Sequence, residues 1–420
     1  MIPVPEVGQP LALFGGQIDI RVEIDSGLEG ETFGIWEVSE WDVETWGSED
    51  ASWFDLTPWV SQVVIHAGAE RWGQRFQTGT ATITVDNTTG IFTPDSGVAT
   101  PFLLPFTPGR RVRVVAIPDP DTGTKVPQFS GILDDSRDSF AGEGFDIDAV
   151  LSCVDNMGLW AGYDPPALDT PTGVQTTHDR VEAALDRMGW PAGDRDIQTG
   201  AHTMMTSHLA QTILEECAEA ADAEGGAFFA AKTGEAVFKA RDWLITDTRS
   251  IVPQGFIGYE EVEAGEQSAW MIQPVTSWER GRIANQIQFA RVGSTVQLAE
   301  DETSQDTFGL ASYERMDFQN NDDAEVLWLA ERYLAIRKDL RLRVDAVSLA
   351  ANEDPDNDDL NRIFWATELG DLISVRIETP YGWGIERLAQ VMGWTHTITK
   401  DDWQLTLKLD DALINFLPES

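Results

Sequence analysis

The residues most often used for chemistry are few in this chain and widely separated. The five histidines are His66, His178, His202, His208 and His396. Only His202 and His208 are near each other, and their spacing suits neither one helix face nor a zinc signature. Cys153 and Cys217 are isolated, which is typical of buried apolar cysteines. We therefore predict no catalytic residue, no metal site and no cofactor.

Two segments have a superficial likeness to known sites. Residues 354–359 read DPDNDD, but an EF-hand starting at Asp354 would need Gly where Asp359 stands and Glu where Trp365 stands. A solvated loop is favoured there, with an opportunistic cation as the alternative. DTPTG at 169–173 predicts a turn and not a protease triplet. HExxH, GxSxG, P-loop and GxGxxG motifs are absent, so the chain is predicted not to be an enzyme.

Charge is the most unusual feature of the composition. The formal net charge of the 420 residues is −42. Because affinity for DNA comes mainly from cations that neutralise phosphates, such a chain should not grip nucleic acid. The charge indicates either simple solubility or a surface that DNA passes without sticking. No apolar run is long enough to span a membrane.

The first 155 residues have the pattern of an antiparallel β-domain. QIDIRVEID (17–25), TATITVDN (80–87) and GRRVRVVAI (109–117) alternate apolar and polar residues, and Pro, Asp and Gly mark turns between strands. An acidic insert at 26–55 interrupts this domain. It contains Trp36, Trp41, Trp46 and Trp53, which are too costly to leave in water. They are predicted to contact a partner chain, with burial in large cores and stacking on sugars as the alternatives.

The rest of the chain is predicted to hold one small α+β domain and a second β-rich part. Residues 156–250 show two helical stretches and a hairpin around Thr233–Gly234. In 251–420, strands are followed by a strong helix at 322–340 and a second β-domain at 341–420. The expected fold is therefore α+β and β-rich, with two related antiparallel β-barrel-like tube domains and an inserted small α+β domain.

An internal repeat supports two related β-domains. Gly109 and Gly131 are 22 residues apart, and Gly370 and Gly393 are 23 apart, within similar orders of strand, loop, strand and turn. These four residues are predicted to be structural glycines, with Gly131 and Gly393 at bulges or bends. Two such domains per chain would let three chains match a six-fold ring.

Several segments together resemble a known protein family. DLTPWVSQVVIHAGAERWGQRFQTGTATITVDNTTGIFTPDSG (55–97), FSGILDD (129–135), NQIQFARVG (285–293) and VMGWTHTITKDDWQLTLKL (391–409) resemble minor tail proteins of actinobacterial siphophages. Those proteins are similar to trimeric baseplate hubs. The resemblance implies a homotrimeric tail-tip ring, made in the host cytoplasm and located at the distal end of the virion tail.

The partners implied by the resemblance are the distal tail protein, the tape-measure protein and fibres or other minor tail proteins, with transient DNA passage. Some family members carry a C-terminal lytic extension, which we do not expect in this chain. Two alternatives stay open. One is a cell-wall hydrolase or glycan-binding tip protein, and the other is a hexameric distal tail protein.

Overall fold

The computed structural model describes residues 11–13, 18–25, 53–94, 96–98, 106–118, 122–141, 146–258, 273–353, 357–378, 381 and 383–416. Strands are the most abundant structure in these residues, and helices account for a smaller share. The strands are β1 Leu11–Leu13, β2 Ile18–Asp25, β3 Trp53–Asp55, β4 Val60–Gly68, β5 Gln77–Asp86, β6 Arg111–Ile117, β7 Val126–Ala141, β8 Asp146–Asp155, β9 Gln175–Thr176, β10 Arg195–Ile197, β11 Thr203–Met204, β12 Ala227–Ala230, β13 Ala236–Lys239, β14 Pro253–Gly258, β15 Gln273–Ser277, β16 Gln286–Arg291, β17 Gln297–Glu300, β18 Ser312–Phe318, β19 Arg343–Ala350, β20 Leu372–Glu378, β21 Gly384–Thr399 and β22 Trp403–Asp411. The helices are α1 Asn156–Gly162, α2 Thr177–Met188, α3 Ile213–Glu224, α4 Trp243–Thr246, α5 Thr248–Ile251, α6 Glu302–Phe308, α7 Asp323–Arg337 and α8 Asp358–Ala366.

One large sheet contains strands from both ends of the chain. Its main path runs β1-β2-β6-β7-β8-β5-β4-β21-β22-β19-β15, with β3, β14 and β20 attached at the side. All its pairings are antiparallel except β14 with β20. Within the described ranges these pairings leave the sheet open, with β1 and β15 at the two ends of the path. The two β-regions predicted as separate barrels are therefore joined edge to edge.

The two halves of this sheet repeat one hydrogen-bonding pattern. Gly109 and Gly370 both have positive φ, at 92° and 87°. Each donates its N–H to a carbonyl on a 16-residue strand, Gly109 to Leu133 in β7 and Gly370 to Val391 in β21, both at 2.7 Å. A bulge follows Leu133 and Val391. These bonds match Leu133 with Val391, so Gly131 corresponds to Ala389 and not to Gly393.

Capping side chains and glycines set the ends of the two main helices in the middle region. Thr176 caps α2 and Thr212 caps α3 through their hydroxyls, and glycines in the left-handed conformation end both helices. The second helix begins at Ile213, directly after its cap Thr212. A hairpin of β12 and β13 surrounds Thr233–Gly234, as predicted. This region has its own buried cluster, around Trp160, Leu185 and Phe238.

A third unit of the structure packs α7 against the three-stranded sheet β17-β16-β18. Asp322 caps α7 by accepting a hydrogen bond from the N–H of Ala324. Helices α1, α6 and α8 were not predicted: α6 and α8 are short and begin in acidic stretches that resemble loops, and α1 is a short helix directly after β8, capped by Asp155. None of the described helices has the length and apolar character needed to cross a lipid bilayer.

Candidate functional site

The seam between the two halves of the large sheet is the pairing of β4 with β21. Its register runs from Gly393 opposite Gly68 to Thr399 opposite Gln62. The backbones approach so closely at one end that a Cβ on Gly68 would lie 2.3 Å from the Met392 carbonyl oxygen. A Cβ on Gly393 would lie 2.6 Å from the Ala67 carbonyl oxygen. Glycine on both strands therefore permits the two halves to form one sheet.

One face of the sheet around this seam consists of hydroxyl, amide and small apolar side chains. Side chains alternate between faces along each strand, and the opposite face is buried in the core. We call this surface the threonine face. Its residues are Val150, Ser152, Val154, Thr80, Thr82, Thr84, Gln62, Val64, His66, Thr395, Thr397, Thr399, Gln404, Thr406 and Ser348.

The threonine face is uncharged although the protein is strongly acidic. Charged residues make up 24% of the chain, yet none occurs at these positions. His66 Nδ1 lies 2.8 Å from the Thr395 hydroxyl across the seam, and the hydroxyls of Ser348 and Thr406 are 2.9 Å apart. The same face carries charged residues at its borders: Asp86 lies opposite Asp148, Asp135 lies opposite Ser152, and Lys408 forms a 2.5 Å ion pair with Glu70. The sheet thus offers a broad surface of neutral hydrogen-bonding groups.

Beneath the seam, the core side holds a buried aromatic and basic cluster. The indole N–H of Trp403 donates to His396 Nδ1 at 3.0 Å. Lys232, from the β12–β13 turn, places its ammonium 4.8 Å from the Trp394 ring centroid. Burial lowers the pKa of Lys232 and raises that of the nearby Asp371. These contacts attach the helical middle region to the second half of the sheet.

The buried His396 should make the protein sensitive to acid. Burial, and then the charge of Lys232, hold the His396 pKa well below its usual value of 6.5. Below about pH 6.5 the imidazole of His396 takes up a proton in the unfolded chain but stays neutral in the folded chain. Acid therefore favours unfolding. From pH 7 to pH 5 we expect wild type to lose about 2 kcal/mol more stability than His396→Gln, which keeps an acceptor for Trp403.

Denaturant unfolding at both pH values measures this difference. The exposed His66→Gln is the matched control and should lose stability with pH as wild type does. Equal pH dependence in His396→Gln and wild type would contradict the assignment.

The predicted partner-binding tryptophans are described only in part. Trp36, Trp41 and Trp46 lie outside the described residues. Trp53 lies in β3, half-buried, with the Arg113 guanidinium carbon 4.2 Å from its ring centroid. β3 pairs with β2, so the last residues of the predicted insert belong to the large sheet. The contact of this insert with a partner stays a prediction.

The histidines and cysteines are not assembled into one centre. His202 lies between the Ala223 carbonyl and the Arg241 guanidinium, whereas His208 lies 2.8 Å from the Leu168 carbonyl. Among the described residues, no group of three or more His, Cys, Asp or Glu could hold a metal ion. Both cysteines are buried, as predicted, and burial raises the pKa of the Cys153 thiol to about 12.

The sequence indicated the glycines but not the threonine face. Alternating threonines in TATITVD and THTIT are visible in the sequence and predict strands with one polar side. The sequence does not show that these strands are neighbours in the sheet. The pairing of β4 with β21 joins residues more than 300 positions apart, and local patterns do not reveal such a pairing.

Comparisons with known proteins identify the fold. No protein-family model and no curated protein sequence matches the chain. Among solved structures it is similar to a tail protein from Neisseria meningitidis MC58, with a TM-score of 0.58, 13% identity, and coverage of 94% of this chain and 97% of that one. It is also similar to the 43 kDa tail protein of prophage MuSo2 from Shewanella oneidensis, with a TM-score of 0.54, 10% identity, and coverage of 95% and 98%. The chain therefore has the overall fold of these tail proteins over nearly its whole length.

Proposed function

We propose that this protein is a structural hub of a phage tail tip, in which three copies form a ring that continues the tail tube. The observation that carries the proposal is the threonine face, which crosses the seam between two hydrogen-bonded β-halves in a fold shared with tail proteins. The domain limits 1–155, 156–250 and 251–420 and the tube-like character of the two halves are part of this proposal.

The chemistry of the threonine face suits the wall of a passage for DNA. Cations would bind phosphates, and dense carboxylates would repel them. Neutral hydroxyl and amide groups do neither strongly, so a polyanion meets no deep binding well. We therefore place this face toward the channel. The net charge of the chain alone would suggest an acidic channel wall, whereas the threonine face gives a neutral one.

Symmetry follows from the two repeated halves. Each copy contributes two similar halves, so three copies present six similar units around one axis. Among the described strands, β1 and β15 lie at the two ends of the sheet path, and in this arrangement a neighbouring copy covers these ends. In this arrangement the distal tail protein lies above the ring, and the tape-measure protein and fibres contact its inside and outside.

Charge placed on the threonine face should impair DNA release without unfolding the protein. In virions carrying the double variant Thr82→Lys and Thr397→Lys, we expect tails in normal number but a titre at least tenfold lower. The cause is that lysines on the channel wall bind passing phosphates. Plaque titre and the rate of DNA ejection in vitro, followed by dye fluorescence, give the measurement.

The control is a lysine elsewhere on the surface. Thr107→Lys is exposed and lies off the threonine face, so it should leave titre and ejection unchanged. Normal ejection by the double variant would show that this face does not line the channel.

A further inference from the structure

The two halves of the large sheet have the same strand order. The first half runs β2-β6-β7-β8-β5-β4, and the second runs β14-β20-β21-β22-β19-β15. β7 therefore corresponds to β21, and β4 corresponds to β15. The seam joins β4, the last strand of the first half, to β21, the long strand of the second half. The same kind of pairing with the corresponding strands would join β15 to β7.

The long strand of the first half is open where the seam lies in the second half. In β21, residues 384–390 pair with β20 and residues 393–399 pair with β4 on the same side, with β22 on the other. In β7, residues 126–132 pair with β6, but no described strand lies beside residues 135–141 on that side. β15 pairs with β19, and no described strand lies on its other side. The counterparts of the two seam strands thus each have one open edge.

Phe140 shows that this edge of β7 is an incomplete contact. Leu133 corresponds to Val391, and Phe140 and Ile398 each lie seven residues further along, since 140 − 133 and 398 − 391 are equal. Ile398 lies opposite Val63 across the seam and is 1% exposed, whereas Phe140 is 69% exposed. Large exposed apolar side chains of this kind mark contact sites. Phe140 therefore has the position of a core residue but lacks the strand that would cover it.

We propose that residues 135–141 of β7 pair with β15 of a neighbouring copy, so that the contact between copies repeats the internal seam. The proposal rests on the ring of the proposed function. Within one chain, β7 and β15 are seven strand spacings apart along the sheet, about 34 Å at roughly 4.8 Å per spacing. The partner is therefore a second copy. A ring needs two different complementary edges on each copy, and these two strands supply them.

The register of the seam predicts the register between copies. Thr397 lies opposite Val64 in the seam, and their counterparts in the repeat are Ser139 and Val275. Val275 is 46% exposed, and both counterparts lie on the same side of the sheet as the threonine face. That face then continues from copy to copy. Pro274 covers the exposed phenylalanine on the other side, and because it has no N–H the ladder has at most one donor fewer than the seam.

Disulfide crosslinking in virions tests this register. Directly opposite residues have Cα atoms about 4.5–5.5 Å apart, within reach of a disulfide, whereas diagonal neighbours are about 7–8 Å apart. Ser139→Cys combined with Val275→Cys should therefore link copies on a non-reducing gel. The control pair, Ser139→Cys with Gln273→Cys, is diagonal and should link at least about fivefold less. The native cysteines are buried and should add little background.

The number of linked copies distinguishes this proposal from the proposed function. A closed set of three linked copies supports both. Three copies per isolated tail tip, counted by native mass spectrometry, without a link in the directly opposite pair would overturn the pairing of β7 with β15 but not the ring. Equal linking in the two pairs would overturn the register. A linked ring of another number would support the pairing and overturn the trimeric hub.

Phe140→Ser tests the contact without introducing cysteines. Because Phe140 is 69% exposed in the single chain, urea unfolding of the isolated full chain should be unchanged. The titre of virions carrying the variant should fall at least about tenfold, since an aromatic anchor of the contact between copies is lost. Tyr381→Ser removes an aromatic side chain that is 88% exposed and lies away from this edge, so it should leave the titre unchanged. A normal titre for Phe140→Ser would contradict the proposal.

Discussion

Alanine at Gly68 is expected to reduce the free energy of unfolding by about 4 kcal/mol or to prevent folding. Two costs combine at this position. The backbone has a φ of 101°, which L side chains rarely adopt, and the new Cβ would lie 2.3 Å from a carbonyl oxygen and 2.4 Å from the Gly393 Cα. Neither neighbour can move alone, because both belong to the strand that joins the two halves of the sheet. Urea unfolding followed by tryptophan fluorescence measures the loss.

Substitutions at two other glycines distinguish the cost of backbone strain from the cost of the close backbone approach. Gly109 has a φ of 92° and nothing within 4 Å of an added Cβ, so Gly109→Ala tests backbone strain alone and should cost about 1–2 kcal/mol. Gly393 lacks a left-handed φ but would place its Cβ 2.6 Å from the Ala67 oxygen, so Gly393→Ala tests the close approach alone. If Gly68→Ala and Gly393→Ala were no more damaging than Gly109→Ala, the two halves would not be held together by this tight seam.

Removing Arg180 is expected to cost about 3–5 kcal/mol. Arg180 and Glu216 are buried between α2 and α3, each 1% exposed, and their charged atoms are 3.5 Å apart. In Arg180→Met, Glu216 stays buried without its cation, and the Met205 carbonyl loses a 2.6 Å donor. Burial already raises the pKa of Glu216, so its charged form is the costly one. The deficit of Arg180→Met should therefore shrink from pH 7 to pH 5, as Glu216 takes up a proton in the folded state.

A double-mutant cycle distinguishes the pair from general packing. Arg180→Met combined with Glu216→Leu should recover much of the lost stability, because no charge is then left buried. Asp196 and Lys239 form an exposed pair at 3.0 Å, and Asp196→Asn should cost less than about 1 kcal/mol. Additive losses in the cycle would show that Arg180 and Glu216 are not coupled.

The sequence predicts elements better than their arrangement. Apolar spacing and capping residues placed the helices α2 and α7 and the hairpin at Thr233, because those signals are local. The matched glycines 109 and 370 were found for the same reason, since each needs a positive φ before a strand. Spacing alone misaligned Gly131 with Gly393, because the loops between β6 and β7 and between β20 and β21 differ in length.

The assembly surface depends on contacts between distant segments. The threonine face exists only when β4 lies beside β21, and no local pattern encodes that neighbour.

A reconstruction by electron cryomicroscopy of the tail tip containing this chain would show the number of copies and the orientation of the threonine face. We predict three copies in a closed ring, with the Thr82 and Thr397 side chains directed into the channel. Single copies, an open arrangement, or a ring with the threonine face buried or turned outward would contradict the proposed hub.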